Sequence, residues 1–248
     1  MLTKETYQRY SRQLLVDPFN DLAQQQLIHS SVLIVGAGGL GCAAAQYLVG
    51  SGVGHLLLMD HDKVDISNLH RQPLYVESDV GSYKAESAAR RLLQINSTGR
   101  ISALTYQADE AVLETFIPLV DIVLDCTDNL PTRFIINSLS YKHKKPLFIG
   151  AATGSLAQFV ALNPAQNHGC YACLYAPEQD TGNSCLSQGI LGPVVALAGN
   201  YQALASLYYL SGSNQLDWGR LHVFDGSKMQ WKQFAIPKRS ECAVCGDK

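Results

Sequence analysis

The sequence predicts an α/β fold built on a doubly wound sheet, parallel in its N-terminal part and joined by antiparallel strands toward its C-terminus. Three observations carry that prediction. A β-branched run, Ser31 to Val35, leads straight into Gly36-Ala37-Gly38-Gly39-Leu40-Gly41, which opens an alanine-rich helix reaching about Gly50. A second apolar run follows the turn residues Gly52 and Gly54 and ends on an acidic residue, Asp60. Helix-like and strand-like segments then alternate as far as Gly150, where the pattern changes character. Strand, glycine turn, helix and strand in that order open a Rossmann-like βαβ unit.

The remaining elements follow in chain order. Residues 3–30 read as two short helices parted near Asp17-Pro18. After the first βαβ unit come a helix over 84–95, a strand near 101–106 and a helix around 110–116. A strand at 122–125, a helix from about 132 to 141 and a strand at 147–149 complete the parallel part. Residues 155–162, and 221–224 with 231–235, read as antiparallel additions. Between them lies the longest apolar stretch, residues 189–210. Pro193, Asn200 and Gln202 interrupt it, so a buried helix is expected rather than a membrane span. Internal repeats, low-complexity tracts and linkers are not evident, and a single domain over 1–248 is expected, divided functionally near residue 150.

Composition narrows the function classes. Hydrophobic residues make up 47% of the chain and charged residues 16%, which suits an ample core. A net charge of −2 gives no reason to expect nucleic acid or an anionic membrane as partner. The first nine residues lack the apolar core of a signal peptide, so a cytoplasmic location is expected. In that compartment seven cysteines are expected to be thiols, metal ligands or reactive groups rather than disulfides.

The motif Gly36-x-Gly38-x-x-Gly41 has a mechanical reading. Gly36 allows the tight turn, Gly38 lets the backbone approach a phosphate, and Gly41 lets the helix pack against the strand; Gly39 lies in the same loop. The unpaired N–H groups of the helix N-terminus then face an anion. Asp60, 24 residues after Gly36, is placed to accept hydrogen bonds from ribose hydroxyls. To this point NAD and ATP explain the sequence equally well.

The downstream residues favour ATP. Asn68, Arg71 and Lys84 follow the second strand, where they can converge on a polyphosphate. Asp125-Cys126-Thr127-Asp128-Asn129 ends another parallel strand on the same sheet edge, which makes Asp128 a sensible Mg²⁺ ligand. A hydride-transfer site needs one pyrophosphate neutralised. An adenylation site must stabilise charge on the α-phosphate and on the departing pyrophosphate, which calls for several cations and a metal. A carboxylate nucleophile is already ionised at neutral pH, so the lack of a Ser-His-Asp or Cys-His set does not argue against an enzyme. Set against these readings, Arg71 and Lys84 would be plain surface charges and Asp128 a helix N-cap.

Cys170-x-x-Cys173 and Cys242-x-x-Cys245, with 68 residues between them, each offer two positions around a tetrahedral Zn²⁺. Four thiolates leave no open coordination position, so the expected role is a structural staple. A redox role for the first pair would leave the second unexplained. Cys42 and Cys126 read as small core fillers. Cys185, in a polar glycine-containing segment, is open to a chemical role or to none. His61 and His70 receive no role.

This ordered set resembles the bacterial MoeB/ThiF adenylyltransferases, relatives of the ubiquitin-activating enzymes. The resemblance spans nearly the whole chain. It rests on Arg9-Tyr10-Ser11-Arg12-Gln13, Gly36 to Gly41, Asp60-x-Asp62, Ser67-Asn68-Leu69-x-Arg71-Gln72, Lys84, Asp125 to Asn129 and the two Cys-x-x-Cys pairs. It implies ATP-dependent adenylation of the C-terminal carboxylate of a small ubiquitin-like sulfur-carrier protein, of either the molybdopterin or the thiamine pathway. Residues 1–150 would then bind nucleotide, and 151–248 would bind the carrier and carry the zinc.

The resemblance also implies roles. Asp60 would hold the ribose, with Asp62 beside it. Asn68, Arg71 and Lys84 would contact phosphates, Asp128 would serve Mg²⁺ with Asn129 adjacent, and Arg12 would reach across a homodimer into the partner's site. Cys185 would lie in a crossover loop above the carrier tail and, as in ThiF-like members, take part in sulfur transfer. The chain ends three residues after Cys245, which leaves no room for a rhodanese-like domain, so a separate sulfur donor is expected. Residues 41–48 and 80–88 look like the molybdopterin branch, to which the reading leans slightly. Residues 183–195 and 224–231 look like the thiamine branch. An NAD-dependent oxidoreductase and a non-catalytic nucleotide-binding scaffold are the competing readings. A tRNA-modifying dehydratase of the same superfamily is disfavoured by the paired cysteines and shorter chain.

Overall fold

Five parallel strands set the direction of the sheet, and three antiparallel strands extend it. The computed structural model describes residues 2–175, 189–213 and 215–246. Their eight-stranded sheet has the order β3-β2-β1-β4-β5-β6-β7-β8. The strands are β1 (Ser31–Val35), β2 (His55–Met59), β3 (Arg100–Leu104), β4 (Ile122–Asp125), β5 (Leu147–Thr153), β6 (Leu156–Leu162), β7 (Arg220–Asp225) and β8 (Gln230–Ala235). Pairing is parallel from β3 through β5 and antiparallel from β5 through β8. This is the mixed, Rossmann-like sheet that the sequence predicts.

The core explains the strand composition. Strands β1 and β4 are buried almost throughout, so both faces must be apolar, and their Val, Ile and Leu runs satisfy that demand. On one face pack the helices α3 (Gly39–Gly50), α4 (Lys84–Ile95) and the long α8 (Gly192–Leu210). The other face holds α5 (Glu110–Phe116) and α6 (Leu130–Lys142). Helices α1 (Lys4–Tyr10) and α2 (Asp21–His29) precede β1, as expected for residues 3–30. Among the described residues no helix is long and apolar enough to cross a membrane.

Three elements differ from expectation. Strand β5 runs on to Thr153, because residues 150–153 gain hydrogen-bonding partners on β6 that only the tertiary fold supplies. Helix α6 starts at Leu130, where Asn129 caps it and Pro131 occupies the first turn. A four-residue helix, α7 (Tyr171–Leu174), follows Cys170 and is too short to show periodicity.

Strand order reverses between β1 and β4, with β2 and β3 to one side and β5 to the other. At such a switch point the loops leaving the two strands diverge and open a crevice beyond their C-terminal ends. Gln202 of α8 ties β4 to β5. Its Nε2 donates to the carbonyls of Asp125 and Phe148, both at 2.9 Å, and the Cys126 thiol donates to its Oε1 at 3.4 Å.

Candidate active site and four-thiol cluster

A cavity of about 810 Å³ lies in that crevice, within the size range of nucleotide and cofactor sites. Gly36, Gly38, Gly39, Asp60, Asp62, Asn68, Arg71, Lys84, Asp128 and Asn129 all line it. Residues separated by up to ninety-three positions are thus brought to one wall-to-wall site.

The glycine loop is built by close approach. Gly36 has φ +97°, and a Cβ there would lie 2.6 Å from the Cys126 carbonyl oxygen. At Gly41 a Cβ would lie 1.9 Å from the Gly36 carbonyl oxygen, so α3 could not turn back onto β1 with any side chain there. Gly39 is required by packing: its Cβ would meet Val195 at 2.5 Å. Gly38 differs. Its nearest protein atom would be Gln72 Nε2 at 3.8 Å, which leaves open room on the cavity side for a close-approaching group. That is the cradle a phosphate requires.

Asp60 is held from both sides. Its Oδ2 accepts the Ala37 N–H at 2.7 Å and its Oδ1 accepts the Asp62 N–H at 2.8 Å. Burial raises its pKa, against the opposing pull of Lys84 and those two N–H groups. Each oxygen keeps a lone pair for a hydroxyl donor. Lys84 is buried, opens α4, and pairs with Asp62 at 2.8 Å, so it is no plain surface charge. Asn68 accepts the Asp65 N–H through Oδ1, leaving Nδ2 without a partner among the described residues. The Arg71 guanidinium donates to the Ser67 carbonyl and contacts His70 Nε2, both at 2.8 Å. His70, without an expected role, thereby orients the arginine.

Across the crevice the reading of Asp128 as an N-cap fails. The cap of α6 is Asn129, whose Oδ1 accepts the Thr132 N–H at 3.0 Å. Asp128 is left exposed on the cavity wall. The buried carboxylate of the segment is Asp125, which accepts the N–H and hydroxyl of Thr127 and whose pKa burial raises. The buried Arg133 faces it and donates to the Thr127 and Gly150 carbonyls. Sequence reasoning passed over Arg133, Gln202 and the cavity residues Tyr106, Gln107 and Ala108. No motif marks them, since their roles come from tertiary placement. Arg12 is exposed and does not line the cavity of its own chain.

The second cluster lies at the other end of α6. The Sγ atoms of Cys170, Cys173, Cys242 and Cys245 are all within 4.8 Å of one another, with Cys170–Cys242 at 3.6 Å and Cys173–Cys245 at 3.4 Å. Disulfide sulfurs would be about 2.05 Å apart. A tetrahedron with Zn–S bonds of about 2.3 Å puts its sulfurs about 3.8 Å apart, and the four thiols fit that spacing. Although burial opposes ionisation of Cys242, the N–H groups of Cys245 and Val244 and the neighbouring thiols outweigh it and bring its pKa down to about 6. Burial pushes the Cys170 thiol the other way, up to about 11, and that of Cys245 higher still. Cys42 and Cys126 are buried, and burial pushes the Cys42 thiol up to about 12 and that of Cys126 higher still. Cys185 lies outside the described residues.

A phosphate-cradling loop, an acid at the end of β2, clustered cations and an exposed carboxylate define a nucleotide-binding protein of Rossmann-like fold. The particular kind follows from comparison with known proteins. Residues 10–244 match the ThiF family, and the chain belongs to it. It is 41% identical over 240 residues to the sulfur carrier protein ThiS adenylyltransferase of Escherichia coli (strain K12), covering 97% of this chain and 95% of that protein. It is also 41% identical over 247 residues to the adenylyltransferase and sulfurtransferase MOCS3 of Drosophila persimilis, covering 98% of this chain and 54% of that protein. The chain thus spans about half the length of the MOCS3 relatives. Among solved structures it is similar to E. coli MccB with AMPCPP and selenomethionine MccA, with a TM-score of 0.86 at 25% identity, covering 99% of this chain and 75% of that one. MccB with ATP aligns with a TM-score of 0.80 at 26% identity over 91% of this chain and 68% of that one.

Proposed function

We propose that the protein is an ATP-dependent adenylyltransferase that activates the C-terminal carboxylate of a small ubiquitin-like sulfur-carrier protein. One observation carries the proposal: the glycine loop, Asp60, Asn68, Arg71, Lys84 and Asp128 share one cavity. Gly38 and the N-terminus of α3 receive phosphate, and Asp60 receives the ribose. A carrier carboxylate oxygen attacks the α-phosphorus. The new O–P bond forms as the bond to the β-phosphate oxygen breaks, and pyrophosphate leaves. Asn68, Arg71 and Lys84 stabilise the charge that gathers on the phosphates, preorganised by the Asp65, His70 and Asp62 contacts. Asp128 would hold Mg²⁺, with Asn129 beside it, and the metal supplies neutralisation of the departing pyrophosphate.

The four cysteines would hold a structural Zn²⁺ that fastens the segment around Cys242 to the body. We read the whole chain as one adenylation domain, with residues 1–150 serving the nucleotide and 151–248 the carrier. The arrangement also suits a homodimer, in which the exposed Arg12 of one copy serves the site of the other. Sulfur for the acyl-adenylate is assigned to a separate donor protein, with Cys185 the residue to test for a part in the transfer. Unpaired thiols in a metal-ready set suit a reducing cytoplasm.

Carrier-dependent exchange of pyrophosphate into ATP tests the proposal. Exchange with a ThiS-type or a MoaD-type carrier assigns the branch, which equal identity to a ThiS adenylyltransferase and to MOCS3 leaves open. Binding of ATP without exchange with either carrier would make the protein a scaffold. Tight NADH binding without exchange would make it an oxidoreductase.

A further inference from the structure

The glycine loop spends several of its backbone polar groups on protein partners and keeps two N–H groups in reserve. Gly36 N–H donates to the Met59 carbonyl at 2.8 Å, and the Gly38 carbonyl accepts the Cys42 N–H at 2.8 Å. Ala37 is held at both ends. Its N–H donates to Asp60 Oδ2 at 2.7 Å, and its carbonyl accepts the Tyr75 hydroxyl at 2.7 Å and the Cys42 thiol at 3.4 Å. The N–H groups of Gly38 and Gly39 donate to no described residue, and both glycines line the cavity. Ala37, Cys42 and Tyr75 are buried and do not line it.

Tyr75 comes from the stretch that presents Asn68 and Arg71 to the cavity, and it packs behind the loop. Its ring lies in the apolar core, where phenylalanine would fill the same space. The hydroxyl is the addition. A buried O–H needs an acceptor, and the Ala37 carbonyl supplies it. Burial pushes the Tyr75 pKa up, so the hydroxyl keeps its proton and stays a donor.

The peptide joining Ala37 to Gly38 is planar and trans, so its C=O and N–H point in opposite directions. With the carbonyl held behind the loop, the Gly38 N–H is turned to the side that the cavity occupies. The backbone alone does not enforce that orientation. Rotating the peptide by half a turn would take Gly38 from φ −75° to about +105°, a region glycine adopts at no steric cost. The rotated peptide would aim a carbonyl oxygen at a phosphate in place of a donor. The glycine that lets a phosphate approach thus also lets the loop present the wrong dipole, unless something holds the carbonyl.

We propose that Tyr75 is a positioning residue for the phosphate site: its hydroxyl holds the Ala37 carbonyl and keeps the Gly38 N–H facing the nucleotide. It touches no substrate. This role rests on the reading of the glycine loop as the cradle for the phosphates of ATP.

The test uses the full chain and compares ATP with adenosine, which share base and ribose and differ in the phosphates. Both affinities are read by displacement of a fluorescent ATP analogue. Tyr75→Phe keeps the ring and its packing. It is expected to weaken ATP binding about 10-fold, the worth of one hydrogen bond to a charged group, and to leave adenosine within about twofold of the wild type. A Tyr75→Phe chain that binds ATP as the wild type does overturns this proposal and leaves the phosphate reading of the loop standing. Equal weakening of ATP and adenosine also overturns it, and makes the hydroxyl a general support of the fold. A wild-type chain that binds adenosine as tightly as ATP overturns both readings.

Discussion

The two ends of α6 meet sites built on opposite plans. At its N-terminal end the residues around the cavity keep capacity in reserve: Gly38 faces open room, Asp128 is free of the helix cap, and Asn68 commits only one end of its amide. At the other end the four thiols close on one another, and Asn137 spends both ends of its amide beside them, one on the Cys170 sulfur and one on the Tyr171 N–H. A site that turns over must leave donors and charges for a visitor. A site that only holds the chain together uses them up.

The comparison breaks most readily at the cavity cations. Lys84→Ala and Arg71→Ala are each expected to lower carrier-dependent pyrophosphate exchange by about 10³-fold or more, since each removes charge from the phosphate site. Their thermal midpoints should stay near that of the wild type, and a variant that exchanges normally would remove its residue from the proposed chemistry. Stripping the four-cysteine site should have the reverse signature. Chelation is expected to cost several kcal/mol of stability, read as a lower melting temperature restored by zinc.

Smaller effects sharpen the same contrast. Gly41→Ala forces a Cβ to within 1.9 Å of the Gly36 carbonyl oxygen, so the loop or α3 must shift. A loss of about 3 kcal/mol in denaturant unfolding is expected, with weakened ATP binding in whatever protein folds. The neighbours Asp128 and Asn129 should separate cleanly. Asn129→Ala is expected to cost about 1 kcal/mol of stability through the lost cap. Asp128→Ala should leave stability within about 0.5 kcal/mol while raising the Mg²⁺ needed for exchange. Equal stability loss in both variants would return Asp128 to a structural role.

Much of this was legible in sequence because the informative features are local. The run Ser31 to Val35 followed by three spaced glycines determines strand, turn and helix within a dozen residues, and the Cys-x-x-Cys pairs announce themselves. What stayed hidden depends on partners distant in the chain. The tail of β5 exists because β6 returns beside it. Gln202 looks like an interruption of an apolar helix until the carbonyls of Asp125 and Phe148 appear opposite it. Asn129 rather than Asp128 caps α6, since two adjacent residues with equal capping propensity differ only in which one the backbone turns toward Thr132. His70 carries no motif value, yet it contacts the arginine that does.

The burial of Cys42 and Cys126 has a practical corollary for labelling. Two of the seven thiols are shut in the core and hold their protons, and four stand in one metal-ready cluster. Six of the seven are thereby silenced in a zinc-loaded native chain. An alkylating reagent applied to that form is then expected to leave these six unmodified. A fluorophore or spin probe could be placed on a cysteine introduced at an exposed position without first replacing these six.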